Sequence, residues 1–319
     1  MTIDLWMQEE KILKFLKGSH QIISGETIAK ALNISRVSVW KAIKKLKEKG
    51  YPIKTTKKGY FLEDKDFFME EDLNKILKKL SLFKKIYLFP ETTSTMDIAK
   101  SYVERGENAV FLAEKQTKGR GRLGRSWESL RGGLWLTLLL YKPPLNLKEA
   151  FFLNYLSSLV TAKAMIETFN LPARLKWPND VLLFDKKVAG VLLEIKAEVD
   201  SLEYALIGIG INVNNPVLEK KFMIPAISIK EAIGQEVDRA SLLEKLLINF
   251  ETLYLKKKEI LNLWKEFSET LGKEVKILTP SSTLIGLALD LDDEGRLLLK
   301  TKEGEIIPIS SGDCLHLRT

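Results

Sequence analysis

Cysteine and histidine are almost missing from this sequence: Cys314 stands alone, and His20 and His316 are the only imidazoles in 319 residues. A single thiol excludes an internal disulfide framework and fits a reducing compartment. So few thiolate and imidazole ligands exclude zinc-type sites, and a histidine-based catalytic triad goes with them. Any metal must be held by oxygen ligands or arrive on a phosphate substrate. Long apolar runs are missing too. No stretch approaches the roughly 18 uninterrupted apolar residues of a membrane span, and the opening segment carries Asp4, Glu9 and Glu10 where a secretory leader would be apolar. The reading is a cytoplasmic chain with no membrane partner.

Acidic residues are lacking in one place above all. Over 36–58, the cations Arg36, Lys41, Lys44, Lys45, Lys47, Lys49, Lys54, Lys57 and Lys58 face Glu48 alone, a surplus equal to the net charge of +8 of the whole chain. Basicity so concentrated points to a polyanionic partner. Helical spacing over 3–17 (Ile3, Trp6, Ile12, Leu13, Leu16) precedes a short helix that Ser24 or Thr27 can cap. A turn at Asn33–Ser35 follows, and then a helix capped by Ser35 that runs to about Lys49. In that helix Val37, Trp40, Ile43 and Leu46 recur every third residue and are predicted to face inward. Arg36, Ser38, Lys41, Lys44 and Lys45 are left outside. Residues 51–62 read as a hairpin turning at Lys57-Lys58-Gly59. The whole resembles a winged helix-turn-helix, with its last helix in the major groove and Lys57 and Lys58 reaching phosphates. Four segments are predicted: the head over 1–63, a linker over 64–84, a central domain over 85–270 and a C-terminal domain over 271–319.

The most telling feature present is Lys115-Gln-Thr-Lys-Gly-Arg-Gly-Arg-Leu-Gly-Arg-Ser-Trp127, between two predicted strands, 109–113 and 133–141. Glycines 119, 121 and 124 let backbone amides crowd a ligand. Arginines 120, 122 and 125 offer planar donor forks for carboxylate or phosphate. Trp127 adds a flat surface for a base. Upstream, Glu91-Thr-Thr-Ser-Thr-Met-Asp97 opens a helix, where hydroxyls and free amides favour an anion or a carbonyl oxygen. Downstream, Lys176 of Arg174-Leu-Lys-Trp-Pro-Asn-Asp180 lies in an apolar strand context, where a charge needs a partner. Gly190, Gly208 and Gly210 fall inside strands, a placement that suits the close passage of a backbone or ligand.

Gly-Arg-Gly-Arg-Leu-Gly-Arg-Ser-Trp, Lys-Trp-Pro-Asn-Asp, Lys-Val-Ala-Gly-Val-Leu-Leu-Glu and Gly-Ile-Gly-Ile-Asn-Val-Asn, in this order, resemble a biotin protein ligase. With the winged head in front, the chain resembles the bifunctional subgroup, the biotin operon repressors. The resemblance implies an α+β multidomain chain: winged helix-turn-helix, a central mixed-sheet α/β domain like class II synthetases, and an SH3-like barrel. It implies biotin and ATP as substrates, with Mg²⁺ carried through the ATP phosphates and no protein metal site. Biotinyl-5′-AMP forms first; a lysine of a biotin carboxyl carrier protein, such as an acetyl-CoA carboxylase subunit, then receives the biotin. Operator DNA and a ligand-promoted homodimer are the other implied partners.

By motif position, Ser94 and Thr95 would hold the ureido end of biotin, with Met96 and Gln116 beside them. Gly119, Arg120, Gly121 and Arg122 would fold over biotin and phosphates. Trp127 would stack on adenine, Asn212 would contact the nucleotide, and Lys176, Arg120 and Arg122 would be the catalytic cations. Met96 stands where many relatives have asparagine, and Leu123 where many have a basic residue. A DNA-binding biotin sensor without ligase activity is the rival reading. A lipoate-type ligase shares the broad fold without this Gly/Arg loop. Past a single long amphipathic helix over 241–267, short alternating strands at 274–279, 283–290, 296–301, 305–309 and 314–318 form the predicted barrel, with Cys314 and His316 as packing residues.

Overall fold

Ser24 and Ser35 each accept a hydrogen bond from the amide three residues on, at 3.0 Å, and each starts a helix. Before them lies α1 (Thr2–Lys17); they open α2 (Gly25–Leu32) and α3 (Arg36–Glu48). The structure, a computed structural model, describes residues 2–19, 21–63, 66–199, 201–217, 225–279 and 282–317. The side chains of 2–7 and 148 lie outside that description, and with them the packing of Ile3 and Trp6; so do His20 and Arg318. Asn33 ends α2 in the left-handed region at φ 52°. The wing is β1 (Ile53–Thr56) paired with β2 (Gly59–Leu62). Ile23 bonds to Tyr60 in both directions and lengthens it. Only glycine fits at 59, because a Cβ there would stand 2.1 Å from the Ile23 carbonyl oxygen.

The inward face of α3 differs from the predicted one. Val39, Ala42, Ile43 and Leu46 are buried, whereas Val37 and Trp40 are 61% and 55% exposed. At about 100° per residue, the step from Val37 to Leu46 is two and a half turns, so the two ends of an every-third-residue series face opposite ways. Ile43 and Leu46 keep their predicted side, and Val37 and Trp40 do not.

The first compact unit ends at Glu70, and the stretch read as a linker is shared out. Phe67 and Met69 join the core of the head. Then α4 (Glu70–Leu77) begins, and the Glu251 carboxylate accepts from the Ser81 and Leu82 amides at 2.8 Å each.

The second unit is built on a seven-stranded sheet. Its elements in chain order are β3 (Lys85–Phe89), α5 (Thr95–Ser101), β4 (Ala109–Ala113), β5 (Leu134–Tyr141), α6 (Phe152–Phe169), β6 (Arg174–Lys176), β7 (Asp180–Leu183), β8 (Lys186–Glu198) and β9 (Ser201–Ile211), then α7 (Ile229–Ile233), α8 (Arg239–Leu253) and α9 (Lys257–Glu266). The strand order is β3-β4-β5-β9-β8-β7-β6, parallel only at β3–β4. The α5 helix lies on the face that carries Phe111, Leu139 and Leu206. The largely buried α6 packs under β6–β9 and against α8 and α9. The predicted single helix over 241–267 is two, because Leu255 takes φ +69° and each half packs on α6 separately.

The C-terminal strands β10 (Glu274–Leu278), β11 (Thr283–Leu291), β12 (Leu297–Lys300), β13 (Ile306–Ile309) and β14 (Asp313–His316) form an antiparallel sheet in the order β13-β12-β11-β10-β14. No pairing joins β13 to β14 among the described residues, so the sheet is open rather than a hydrogen-bonded barrel. It is nonetheless curled. The link from Ile309 to Asp313 spans at most about 15 Å, and four strand spacings of a flat sheet need about 19 Å.

Candidate active site

One cavity of about 360 Å³ opens on the α5 side of the sheet, a volume suited to a small-molecule site. At the uncharged end, Ser94 caps α5 through its Oγ, which accepts from the Met96 amide. Gln116 Oε1 accepts from both the amide (2.7 Å) and the hydroxyl (3.1 Å) of Thr95. Gln116 Nε2 donates to Ser129 Oγ, and Thr137 Oγ1 donates to Thr95 Oγ1. These groups are buried or half-buried and fixed by one another, so the donors and acceptors left over face the cavity in set directions. Thr137, a lone hydroxyl inside Leu-Trp-Leu-Thr-Leu-Leu-Leu, was the sequence signal for this network that went unread.

Glycines make the floor. Gly190 pairs with Gly210, and Gly208 lies two residues on, on the same face. A Cβ on Gly210 would meet Trp127 Nε1 at 2.6 Å, one on Gly190 would meet the same ring at 3.0 Å, and one on Gly208 would meet Met96 Sδ at 2.8 Å. Trp127 therefore lies flat on two strands, with Lys187 Nζ 5.1 Å from its ring centroid and its own buried N–H without a partner among the described residues. Asn212 sits past the end of β9, its Oδ1 accepting from Asn215.

The other end is cationic. Arg120, Arg122, Arg125, Lys176 and Lys187 line it against Glu128, Asp180 and Asp313. The Gly/Arg loop is folded on itself, Gly121 N donating to Arg125 O, and its arginines are clasped separately. Arg120 pairs with Asp97 (2.9 Å) and Glu194 (3.3 Å). Arg122 donates to Asn179 Oδ1 at 3.0 Å, and Arg125 pairs with Asp313 of the C-terminal sheet. Leu123, at φ 55°, is exposed.

Lys187 holds Asp180 at 2.6 Å. Lys176 alone of these cations makes no hydrogen bond or ion pair among the described residues, although it is only 4% exposed. Burial lowers its pKa, opposed by the field of Asp180. Its strand is pinned: Trp177 donates through its amide to Thr270 Oγ1 and through Nε1 to Tyr155 OH, and Asn154 donates to the Pro178 carbonyl. Cys314 borders the cavity, and burial pushes its thiol up to about 12, so it is no thiolate nucleophile. His316, held down to about 4 by burial, is bonded to Thr270 at 3.0 Å away from the cavity.

Every candidate residue of the central domain thus converges on one cavity except Gly119, which is buried behind it against Trp127 O and Ser129. Lys187 and Asp313 went unnoticed because their place depends on the β7–β8 hairpin and the C-terminal sheet, not on local pattern.

On the head, Arg36, Lys41 and Lys44 are exposed along α3, and Lys57 and Lys58 at the wing tip. Ser38 is tied to Ser35, and Lys45 turns toward the buried Glu9 at 3.8 Å, with Lys49 at 2.7 Å from the same carboxylate.

Over 310 residues the chain is 33% identical to the bifunctional ligase/repressor BirA of Bacillus subtilis (strain 168), an alignment covering 93% of this chain and 95% of the relative. The chain belongs to the bifunctional biotin protein ligases. Three family models agree: an HTH domain over 8–61, the biotin/lipoate A/B protein ligase family over 88–212, and the biotin protein ligase C terminal domain over 270–317. It is 28% identical to BirA of Escherichia coli (strain K12) over 91% of each chain. Among solved structures it resembles the biotin protein ligase from Aquifex aeolicus in complex with biotin and ATP. There the TM-score is 0.62 and the identity 32%, over 74% of this chain and 100% of that one. For a ligase of this family the two ends of the cavity gain chemical meaning: a neutral hydrogen-bonding end, and a cationic end roofed by the Gly/Arg loop. Among the described residues, no helix is long and apolar enough to cross a membrane.

Proposed function

We propose that the cavity joins biotin to ATP and then hands the biotinyl group to a carrier protein, while the winged head binds operator DNA as a repressor. Ligase and DNA-binding repressor are the activities of the family to which the chain belongs. The observation that carries the chemical assignment is Lys176, a buried cation whose side chain has no hydrogen-bond or ion-pair partner among the described residues, facing a cavity roofed by arginines.

In the first half-reaction a carboxylate oxygen of biotin attacks the α-phosphorus of ATP. The bond to the bridging oxygen breaks and pyrophosphate leaves. Negative charge gathers on the phosphoryl oxygens as this happens, and Lys176 and Arg122 supply compensating charge already in place. Ser94, Thr95, Met96 and Gln116 would hold the biotin ring end, Trp127 would stack on adenine, and Asn212 would meet the nucleotide. Arg120, Gly119 and Gly121 would keep the loop over the mixed anhydride and exclude water. In the second half-reaction the ε-amine of a carrier lysine attacks the acyl carbon, loses a proton, and AMP departs. Neither step needs a covalent protein nucleophile.

Asp180 and Asp313 are already paired with Lys187 and Arg125, so Mg²⁺ would be held chiefly by the ATP oxygens. The curled C-terminal sheet is read as an SH3-like barrel that completes one wall, and the central domain as class II synthetase-like. A ligand-promoted two-fold dimer would set two heads on two half-sites.

Incubation with ATP, Mg²⁺, biotin and the carrier domain of a biotin-dependent carboxylase, followed by intact mass, tests the ligase. A biotin-sized increase on one acceptor lysine is expected. Its absence, with biotin still bound, would leave a sensor without ligase activity.

A further inference from the structure

The solvent face of α3 carries an apolar pair that the fold does not use. Val37 and Trp40, 61% and 55% exposed, lie one turn apart on the face opposite Val39, Ala42, Ile43 and Leu46. Cations frame them: Arg36 precedes Val37, Lys41 follows Trp40, and Lys44 Nζ lies 5.8 Å from the Trp40 ring centroid. A tryptophan and a valine left in water are unfavourable unless something covers them. The frame says what kind of surface that is, because an apolar contact ringed by lysine and arginine suits a partner whose rim is anionic. The major groove of duplex DNA has phosphates along both edges. Within it, the one apolar group on the base edges is the C5 methyl of thymine.

Resting on the repressor reading, we infer that Val37 and Trp40 read thymine methyl groups. Each half-site must then carry thymine beneath the first two turns of α3. Division of labour on the helix follows: Lys41 and Lys44 bind phosphates at any sequence, whereas Val37 and Trp40 choose among sequences.

The test begins by selecting duplexes from a random library with the full chain in the presence of biotin and ATP. The selected duplex is then remade with deoxyuridine for thymidine at one position at a time, which removes a methyl group and nothing else. At one or two positions per half-site, affinity should fall about fourfold for each methyl, as about 0.8 kcal/mol per buried carbon requires. Trp40→Ala should bind the selected duplex at least about tenfold more weakly, match the unaltered chain on unrelated duplex, and ignore the deoxyuridine changes. Trp40→Phe should recover part of the sensitivity.

Indifference of the unaltered chain to deoxyuridine at every position would overturn the inference. So would a Trp40→Ala chain that binds the selected duplex normally, whether or not its sedimentation changes. If the library yields no preferred duplex, the repressor reading itself fails and this inference falls with it, a pattern distinct from selection without methyl dependence.

Discussion

Lys176 is 4% exposed, and burial depresses its pKa below that of a free lysine, with Asp180 pulling the other way and Lys187 adding to the depression. A side chain kept charged without a partner lowers the stability of the fold, and it is placed where a polyphosphate would relieve it. The pH dependence follows from the direction of the shift. The charged form is the competent one and is lost as pH rises, earlier than for an ordinary lysine near 10.5. Pyrophosphate exchange measured as kcat/KM for ATP should therefore fall on its alkaline limb with an apparent pKa under that value. The same limb in kcat, with ATP bound, should lie at higher pH. Lys176→Met keeps the stem and removes the charge. It should reduce adenylate formation by about 10²–10³-fold, yet unfold in urea at a concentration no lower than the parent. A loss of stability in this variant would mean that the ammonium has a structural partner, and the catalytic role would then be wrong.

At the scale of elements, two neighbouring positions on one face of β9 would serve different substrates under the proposed function. Gly208 lies under Met96, at the end proposed for biotin, and Gly210 under Trp127, at the end proposed for the nucleotide. Neither glycine has a positive φ, so alanine at either position is compatible with the strand, and the cost falls on the side chain above. Gly210→Ala should lift the indole and raise KM for ATP about tenfold, with KM for biotin little changed. Gly208→Ala should do the reverse, more weakly, because the thioether can shift. Equal effects on both substrates would dissolve this division of the cavity.

The same elements show what the sequence could say. The strands at 109–113 and 133–141 were legible because turn residues bound short apolar runs, and the Gly/Arg loop because such a composition has no packing use between them. The inward face of α3 was misread because a period of three drifts across a helix of 3.6 residues per turn. The break at Leu255 has no glycine or proline to announce it. Lys187 and Asp313 were invisible as site residues because each reaches the cavity through a tertiary neighbour, Asp180 and Arg125.

At the scale of the whole molecule, charge is divided between two tasks. The cations of the cavity are mostly clasped by Asp97, Asn179, Asp180, Glu194 and Asp313, so they act on what enters the cavity and add little long-range field. The head instead holds its lysines exposed along α3 and at the wing tip, where only solvent screens them. Lys45 and Lys49, turned toward Glu9, and Lys44, 4.0 Å from Glu48, are exceptions. The wing should thus contribute through phosphate contacts, independent of sequence and strongly dependent on salt. With Lys57 and Lys58 both replaced by glutamine, operator binding by a dimer should weaken. Its slope of log affinity against log salt should flatten by about 3–4, since each phosphate contact contributes about 0.9. Biotin transfer by the same variant should proceed at the parental rate, because those side chains lie in a compact unit that ends at Glu70, and every residue lining the cavity belongs to the other. An unchanged salt slope would move the phosphate contacts from the wing to α3. A parallel loss of ligation would show that the head takes part in the chemistry, and the division of charge between the two tasks would have to be abandoned.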